Sequence, residues 1–126
     1  MTKQIIQTNS APAPIGPYNQ AIKTGNLLFV SGQVAFIPGT SELVNADIIE
    51  ETHQVLKNIQ AILTEAGMDF SNIVKTTIFL SDMALFNQVN EIYAKYFDGN
   101  FPARETVAVK GLPKNANVEI SVIAAD

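Results

Sequence analysis

The stretch Ile73-Val74-Lys75-Thr76-Thr77-Ile78-Phe79-Leu80 decides the fold, because this β-branched run predicts a strand with apolar side chains on both faces. Before it, a helical pattern opens at Asp47, a good N-cap residue. After it, Ser81 or Asp82 caps a second helical pattern. A strand flanked by two helices in this way predicts a sheet with helices packed against it.

The two helices are predicted from apolar residues at helical spacing. Glu50 completes a capping-box-like pattern with Asp47, and Gly67 ends the first helix. His53 falls on the polar face of that helix, so the lone histidine is predicted to be solvated. The apolar stripe of the first helix is Val55, Leu56, Ile59, Ile62, Leu63 and Ala66, and that of the second is Phe86, Val89, Ile92, Tyr93, Tyr96 and Phe97.

The N-terminal third is predicted to be a sheet edge. Lys3–Thr8 is a candidate edge strand, and the proline-rich segment Asn9–Asn19 predicts an extended loop. Gln20–Thr24 and Leu27–Val34 predict a hairpin joined by the two-residue turn Gly25-Asn26. The sheet therefore begins with up to three short strands.

Gly32 lies inside the second arm of that hairpin, directly after Ser31. A glycine within a strand often marks a bulge or the close approach of another backbone or a ligand. A bulge or a close approach of this kind is therefore expected at Gly32.

Arg104 is the only arginine in the chain and lies in the segment Asn100–Val107. Its planar guanidinium suits a carboxylate or a phosphate through two parallel hydrogen bonds. Pro102 fixes the backbone before it, and Thr106–Lys110 predicts a strand, so Arg104 is expected where a loop enters the sheet. The alternative is a surface arginine without a task.

The last predicted strand is Val118–Ala124, which places Glu119 on the face opposite Ile120. The predicted order is three strands, a helix, a strand, a helix and two strands, forming one domain over residues 1–126. Two helices cover one face of such a sheet, yet the strands are apolar on both faces. A second copy of the chain is the simplest cover for the other face. Burial of the Glu119 carboxylate there is costly unless the group is hydrogen-bonded or takes part in function.

Composition excludes several classes of function. The chain has no cysteine and one histidine, which excludes thiol chemistry and argues against a zinc site. The net charge is −4 and the lysines are scattered, which argues against nucleic-acid binding as the main task. No stretch matches a signal peptide or a membrane span, so a cytoplasmic protein is expected.

Several short stretches resemble the Rid (reactive intermediate deaminase) family, also called YjgF. They occur in order, with family-like spacing, from about Asn9 to the C-terminus. They are Gly16-Pro17-Tyr18-Asn19-Gln20-Ala21, Phe29-Val30-Ser31-Gly32-Gln33, Val89-Asn90-Glu91-Ile92-Tyr93 with Phe97, Phe101-Pro102-Ala103-Arg104, and Leu112-Pro113-Lys114 with Val118-Glu119-Ile120.

The resemblance implies a chorismate-mutase-like α+β fold, with a mixed sheet, two helices on one face, and a homotrimer with clefts between subunits. It implies cofactor-free hydrolysis of 2-enamine and 2-imine acids, such as 2-aminoacrylate, to 2-keto acids and ammonia. The lack of cysteine and of a metal-ligand cluster in the sequence predicts that the activity needs no metal. Arg104 matches the arginine that grips the substrate carboxylate, and Glu119 the carboxylate near the attacking water. The residues matching substrate-binding positions are Tyr18, Ser31, Gly32, Asn90 and Thr106.

The chain departs from the family pattern at three positions. Thr106 stands where many members have cysteine, Ser121 where many have a second glutamate, and Glu105 where a small residue is common. These differences bear on substrate preference and leave Arg104 and Glu119 in place.

Two other classes of function stay open at this point. Relatives have been described as translation inhibitors or endoribonucleases, a function that the acidic balance and the predicted solvated histidine argue against. A regulatory module that binds small carboxylates without turnover is the third possibility.

Overall fold

The computed structural model describes residues 2–126, and it contains one six-stranded sheet with two helices. The strands are β1 (Gln4–Ile6), β2 (Ala21–Thr24), β3 (Leu27–Gln33), β4 (Ile73–Leu80), β5 (Ala103–Ala108) and β6 (Val118–Ala125), and the helices are α1 (Ile48–Glu65) and α2 (Phe86–Ala94). The predicted order of elements is confirmed. No helix within residues 2–126 is long and apolar enough to cross a bilayer.

The spatial order of the strands is β1-β2-β3-β6-β4-β5, and the sheet is mixed. β4 and β5 pair in parallel, whereas the other neighbours are antiparallel. The β3-α1-β4 and β4-α2-β5 crossovers run in the same direction across the sheet. Since such connections are right-handed, both helices lie on one face. The α+β class and the one-sided arrangement of helices are confirmed.

The core lies between this face and the helices. Asp47 caps α1 through a 2.8 Å hydrogen bond from the Glu50 N–H to its carboxylate. Gly67, at φ +74°, ends the helix in the left-handed conformation that favours glycine. The fully buried side chains include Leu56, Ile59, Ile62 and Leu63 of α1 and Ile78, Leu80 and Ile120 of the sheet.

The opposite face of the sheet carries exposed apolar side chains. Phe29 is 42% exposed and pairs with Ile123 on β6, while Val107 on the edge strand β5 is 47% exposed. Thr77 and Ser121 pair on the same face. One chain therefore leaves this face uncovered, as the pattern of the strands predicted.

Three local predictions were wrong. β5 begins at Ala103, not at Thr106, so Arg104 is already inside the strand, because parallel pairing with β4 extends back to Lys75. α2 ends at Ala94, so Tyr96 and Phe97 follow the helix while still packing against the core. Before the helix, Asp82 caps a separate 3₁₀ turn.

The third wrong prediction concerns His53, whose side chain is not fully solvated. Its Nδ1 lies 2.8 Å from the Tyr96 hydroxyl, and the side chain is half-buried. The segment after α2 folds back along this side of α1, and the helical pattern alone does not reveal that contact.

Candidate functional site

The predicted site residues form two groups on opposite faces of the sheet. Thr76 and Arg104 are register partners across β4 and β5, and Thr76 is buried on the helix face. Phe79 and Glu119 are register partners across β4 and β6. Their neighbours along each strand are buried on the helix face, so both residues point to the opposite face. Arg104 therefore lies on the helix side and Glu119 on the uncovered side.

Arg104 lines a surface pocket of about 300 Å³ together with Asn90, Tyr93, Ala94, Phe101 and Pro102. Its guanidinium carbon lies 5.0 Å from the centre of the Tyr93 ring and 5.8 Å from that of Phe86. Both distances fall in the range of cation–π contacts. We call this group of residues the arginine half-site.

No carboxylate within residues 2–126 forms an ion pair with Arg104. The adjacent glutamate, Glu105, points to the other face and pairs with Lys75 at 2.6 Å. The guanidinium donors are therefore not committed to an internal salt bridge, and they remain available to an anion.

Asn90 and Thr106 each carry a buried oxygen, Oδ1 and Oγ1 respectively, that has no hydrogen-bond partner among residues 2–126. Buried polar atoms are almost always paired, and those that are not call for an explanation. Thr106 faces the helix side beside Ile78 in the strand register, on the same side as Arg104. Both matched positions thus belong with the arginine half-site.

Glu119 lies in a second pocket, on the uncovered side, together with Tyr18 and Gly32. A β-carbon added at Gly32 would lie 2.6 Å from Glu119 Oε2 and 2.9 Å from Cδ. The ladder between β3 and β6 is also irregular between Val30 and Gln33. The predicted bulge at Gly32 is confirmed, and the group that lies closest to this glycine within the described chain is the Glu119 side chain. We call this group the glutamate half-site.

The glutamate half-site leaves its carboxylate poorly solvated. Burial raises the pKa of Glu119 above its ordinary value, and no cation or donor in the described part of the chain opposes the shift. The carboxylate thus has an increased affinity for a proton, as suits a group that acts as a base.

The loop that carries Tyr18 is held by Gln20 and Ser31. Buried Gln20 accepts a hydrogen bond from the Thr8 N–H at 2.8 Å and donates to the carbonyl oxygens of Thr8 and Pro12. The Ser31 hydroxyl donates to the Asn19 carbonyl at 2.6 Å. Ser31 therefore anchors the loop in this chain, and only its oxygen is left to accept a hydrogen bond.

Sequence analysis missed the aromatic rings around Arg104 and the part played by Gln20. The helical pattern includes Tyr93 in an apolar stripe and the resemblance includes it in a motif, but neither signal indicates a contact with Arg104. Gln20 was quoted in a motif without a function. Within residues 2–126 there is no cluster of three or more side chains suited to a metal ion.

Comparison with known proteins identifies the class to which this α+β fold belongs. The family model described as Endoribonuclease L-PSP matches residues 8–126. Reactive Intermediate Deaminase A, chloroplastic, of Arabidopsis thaliana is 52% identical over 97% of this chain, which spans 65% of that relative. The 2-iminobutanoate/2-iminopropanoate deaminase of Mus musculus is 48% identical, over 97% of this chain and 90% of the relative.

A solved structure of the conserved Rid protein YyfA of Yersinia pestis superposes with a TM-score of 0.96 at 52% identity, covering 99% of this chain and 100% of that one. The chain belongs to the Rid (YjgF) family.

Proposed function

We propose that the protein hydrolyses reactive 2-enamine and 2-imine acids to 2-keto acids and ammonia, without a cofactor or metal. The observation that carries the proposal is Arg104, a lone arginine without a carboxylate partner in the described chain, presented at a pocket. The deaminase names of the Arabidopsis and mouse relatives support the same reaction.

The reaction depends mainly on the correct positions of the substrate and the attacking water. A 2-enamine acid tautomerises to the imine, whose carbon is already electrophilic. Water adds to that carbon, the C–N bond of the resulting carbinolamine breaks, and ammonia leaves as the C=O bond forms. Arg104 would hold the carboxylate. Glu119 would orient the water, accept its proton and return that proton to the nitrogen that leaves as ammonia, which regenerates the carboxylate.

The two half-sites come together only if the site lies between two copies of the chain. We propose a homotrimer of the chorismate-mutase-like type, in which the uncovered sheet faces are buried. One copy would supply Arg104, Asn90 and Thr106, and the neighbouring copy Glu119, Tyr18, Ser31 and Gly32. The exposed apolar side chains of the uncovered face and the separation of Arg104 from Glu119 support this arrangement.

The proposed reaction is tested by coupling the protein to a serine or threonine dehydratase, which releases 2-aminoacrylate or its homologue. Added protein should accelerate the appearance of the keto acid beyond the spontaneous rate, and the acceleration should survive a chelator. An unchanged rate at stoichiometric protein would contradict the proposal.

An RNA-directed activity is the second candidate function, because the matched family model carries the description of an endoribonuclease. The only histidine is hydrogen-bonded to Tyr96, and the lysines do not cluster. Cleavage of RNA by transesterification requires an acid and a base beside a basic groove, and neither half-site offers this set. The deaminase remains the better account of Arg104.

The oligomeric state gives a first prediction. Light scattering at micromolar concentration should return the mass of three chains, because the apolar face of one copy would otherwise face water. A stable monomer would contradict both the trimer and the shared site.

The substitution Gly32→Ala gives a second prediction. The added methyl would displace the Glu119 carboxylate, and a displacement of about 1 Å can lower a rate by about 10²-fold. Because the displaced group is the end of a flexible side chain, kcat/KM should fall while the melting temperature changes little. Gly111→Ala is the matched control, since apart from its chain neighbours no described residue has an atom within 4 Å of the added carbon. Equal activity of the two variants would show that Glu119 is not held by this contact.

A further inference from the structure

Two residues to which the resemblance gives no role in the site, Tyr93 and Thr76, support the arginine half-site. The Tyr93 hydroxyl donates a buried 2.8 Å hydrogen bond to Thr76 Oγ1. Thr76 is fully buried and is the register partner of Arg104 on the neighbouring strand. Thr76 therefore contacts both β5, the strand that carries Arg104, and the Tyr93 side chain.

The Tyr93 ring is also held from a second side. The Phe97 ring lies 4.8 Å from it, centre to centre, and Tyr93 itself is 4% exposed. With its hydroxyl bonded and its ring packed, the side chain has little freedom to change rotamer. A ring fixed in this way offers a fixed face to the guanidinium 5.0 Å away.

A stacked aromatic ring positions an arginine differently from a carboxylate. A carboxylate would occupy the N–H donors of the guanidinium, whereas a ring attracts the cation through its face and leaves the N–H groups at the edge free. Burial raises the pKa of Tyr93, against the opposing effects of the Thr76 hydrogen bond and the Arg104 charge, so the phenol stays neutral.

We propose that Tyr93, locked by Thr76, is a positioning residue that holds the Arg104 guanidinium with its donors free for the carboxylate of the substrate. The inference rests on the proposed function for the identity of that carboxylate. It assigns to Tyr93 a task in addition to its place in the core.

The lone arginine makes a direct measurement possible, because the arginine Nε–H signal in a ¹H–¹⁵N spectrum belongs to Arg104 alone. The Tyr93 ring should shift that signal away from the value of free arginine. Tyr93→Leu should return it towards that value. Tyr96→Phe is the matched control, because it removes a hydroxyl from the same aromatic cluster, one that bonds His53 and not the arginine support.

Binding of 2-oxobutanoate, a product-like carboxylate, is the second readout. Loss of the stacked ring in Tyr93→Leu should weaken binding by about 3- to 30-fold. Tyr93→Phe and Thr76→Val, which keep the ring and remove the hydrogen bond, should each weaken it by about 2- to 10-fold. The double variant should be no weaker than the more affected single variant, because both remove one interaction.

An Arg104 signal unmoved by Tyr93→Leu would overturn the proposal, and so would equal movement in Tyr96→Phe. If Tyr93→Leu does not fold, unchanged carboxylate binding in both Tyr93→Phe and Thr76→Val would overturn it instead. Should the wild-type protein bind 2-oxobutanoate through Arg104 but fail to hydrolyse imines, the proposed function fails and the positioning task of Tyr93 stands.

Discussion

Arg104→Ala should nearly abolish enamine hydrolysis and leave the trimer intact. Loss of a charge-assisted bidentate contact costs roughly 2–4 kcal/mol, or about 30- to 1,000-fold in rate. Misplacement of the imine carbon relative to the water should add to this loss. The measurement is kcat/KM in the coupled dehydratase assay, with melting curves as the control for folding.

Arg104→Lys separates two accounts of the same residue. An ammonium keeps the charge but cannot make the two parallel hydrogen bonds or stack its plane on Tyr93 at the distance seen here, so severe impairment is expected. A site that needs only positive charge predicts an active lysine variant. A surface arginine without a task predicts that both variants match the wild type, with stability changes within about 0.5 kcal/mol.

Glu119→Gln should lower kcat/KM by about 10²- to 10⁴-fold, the usual contribution of a general base. In the wild type, kcat/KM should fall as the pH drops through the pKa of Glu119, because the protonated carboxyl cannot accept a proton. Burial raises that pKa, so the midpoint should lie above the value of about 4.3 for an ordinary glutamate. The glutamine variant should lack this acidic limb.

The stability of Glu119→Gln should not fall together with its activity. The folded-state pKa of Glu119 is raised, so the folded chain binds this proton more tightly than the unfolded chain. Above the folded pKa, the ionised carboxylate therefore weakens the fold, and glutamine should melt no lower than the wild type at neutral pH. Glu65→Gln, at an exposed position on α1, is the control for both measurements. Equal activity of the two glutamine variants would contradict the proposed base.

The sequence predicted the sheet and its helices because local signals agreed with the tertiary structure. The β-branched run Ile73–Leu80 has the same bounds in the structure, and the Gly25-Asn26 turn joins paired strands, Thr24 opposite Leu27. The start of β5 could not be read in this way. Its first residues are placed by parallel pairing with β4, which depends on a distant segment of the chain.

The candidate site was predicted as a set of residues but not as an arrangement. Alternation along one strand gives the face of Glu119, yet the face of Arg104 follows from its register with Thr76. The Tyr93–Thr76 hydrogen bond joins residues of a helix and a strand, and no spacing in the sequence indicates it. The use of the Ser31 hydroxyl to hold the Asn19 carbonyl could be seen only once the loop was placed.

The central claim is that each active site takes Arg104 from one copy of the chain and Glu119 from its neighbour. The most direct test mixes equal amounts of the inactive Arg104→Ala and Glu119→Gln variants, unfolds them together and refolds them. In a cyclic trimer, every mixed assembly then has one interface with both native residues, so about a quarter of wild-type activity should return. Each variant refolded alone should stay inactive. A mixture as inactive as its components, with mixed trimers shown by mass, would contradict the shared site.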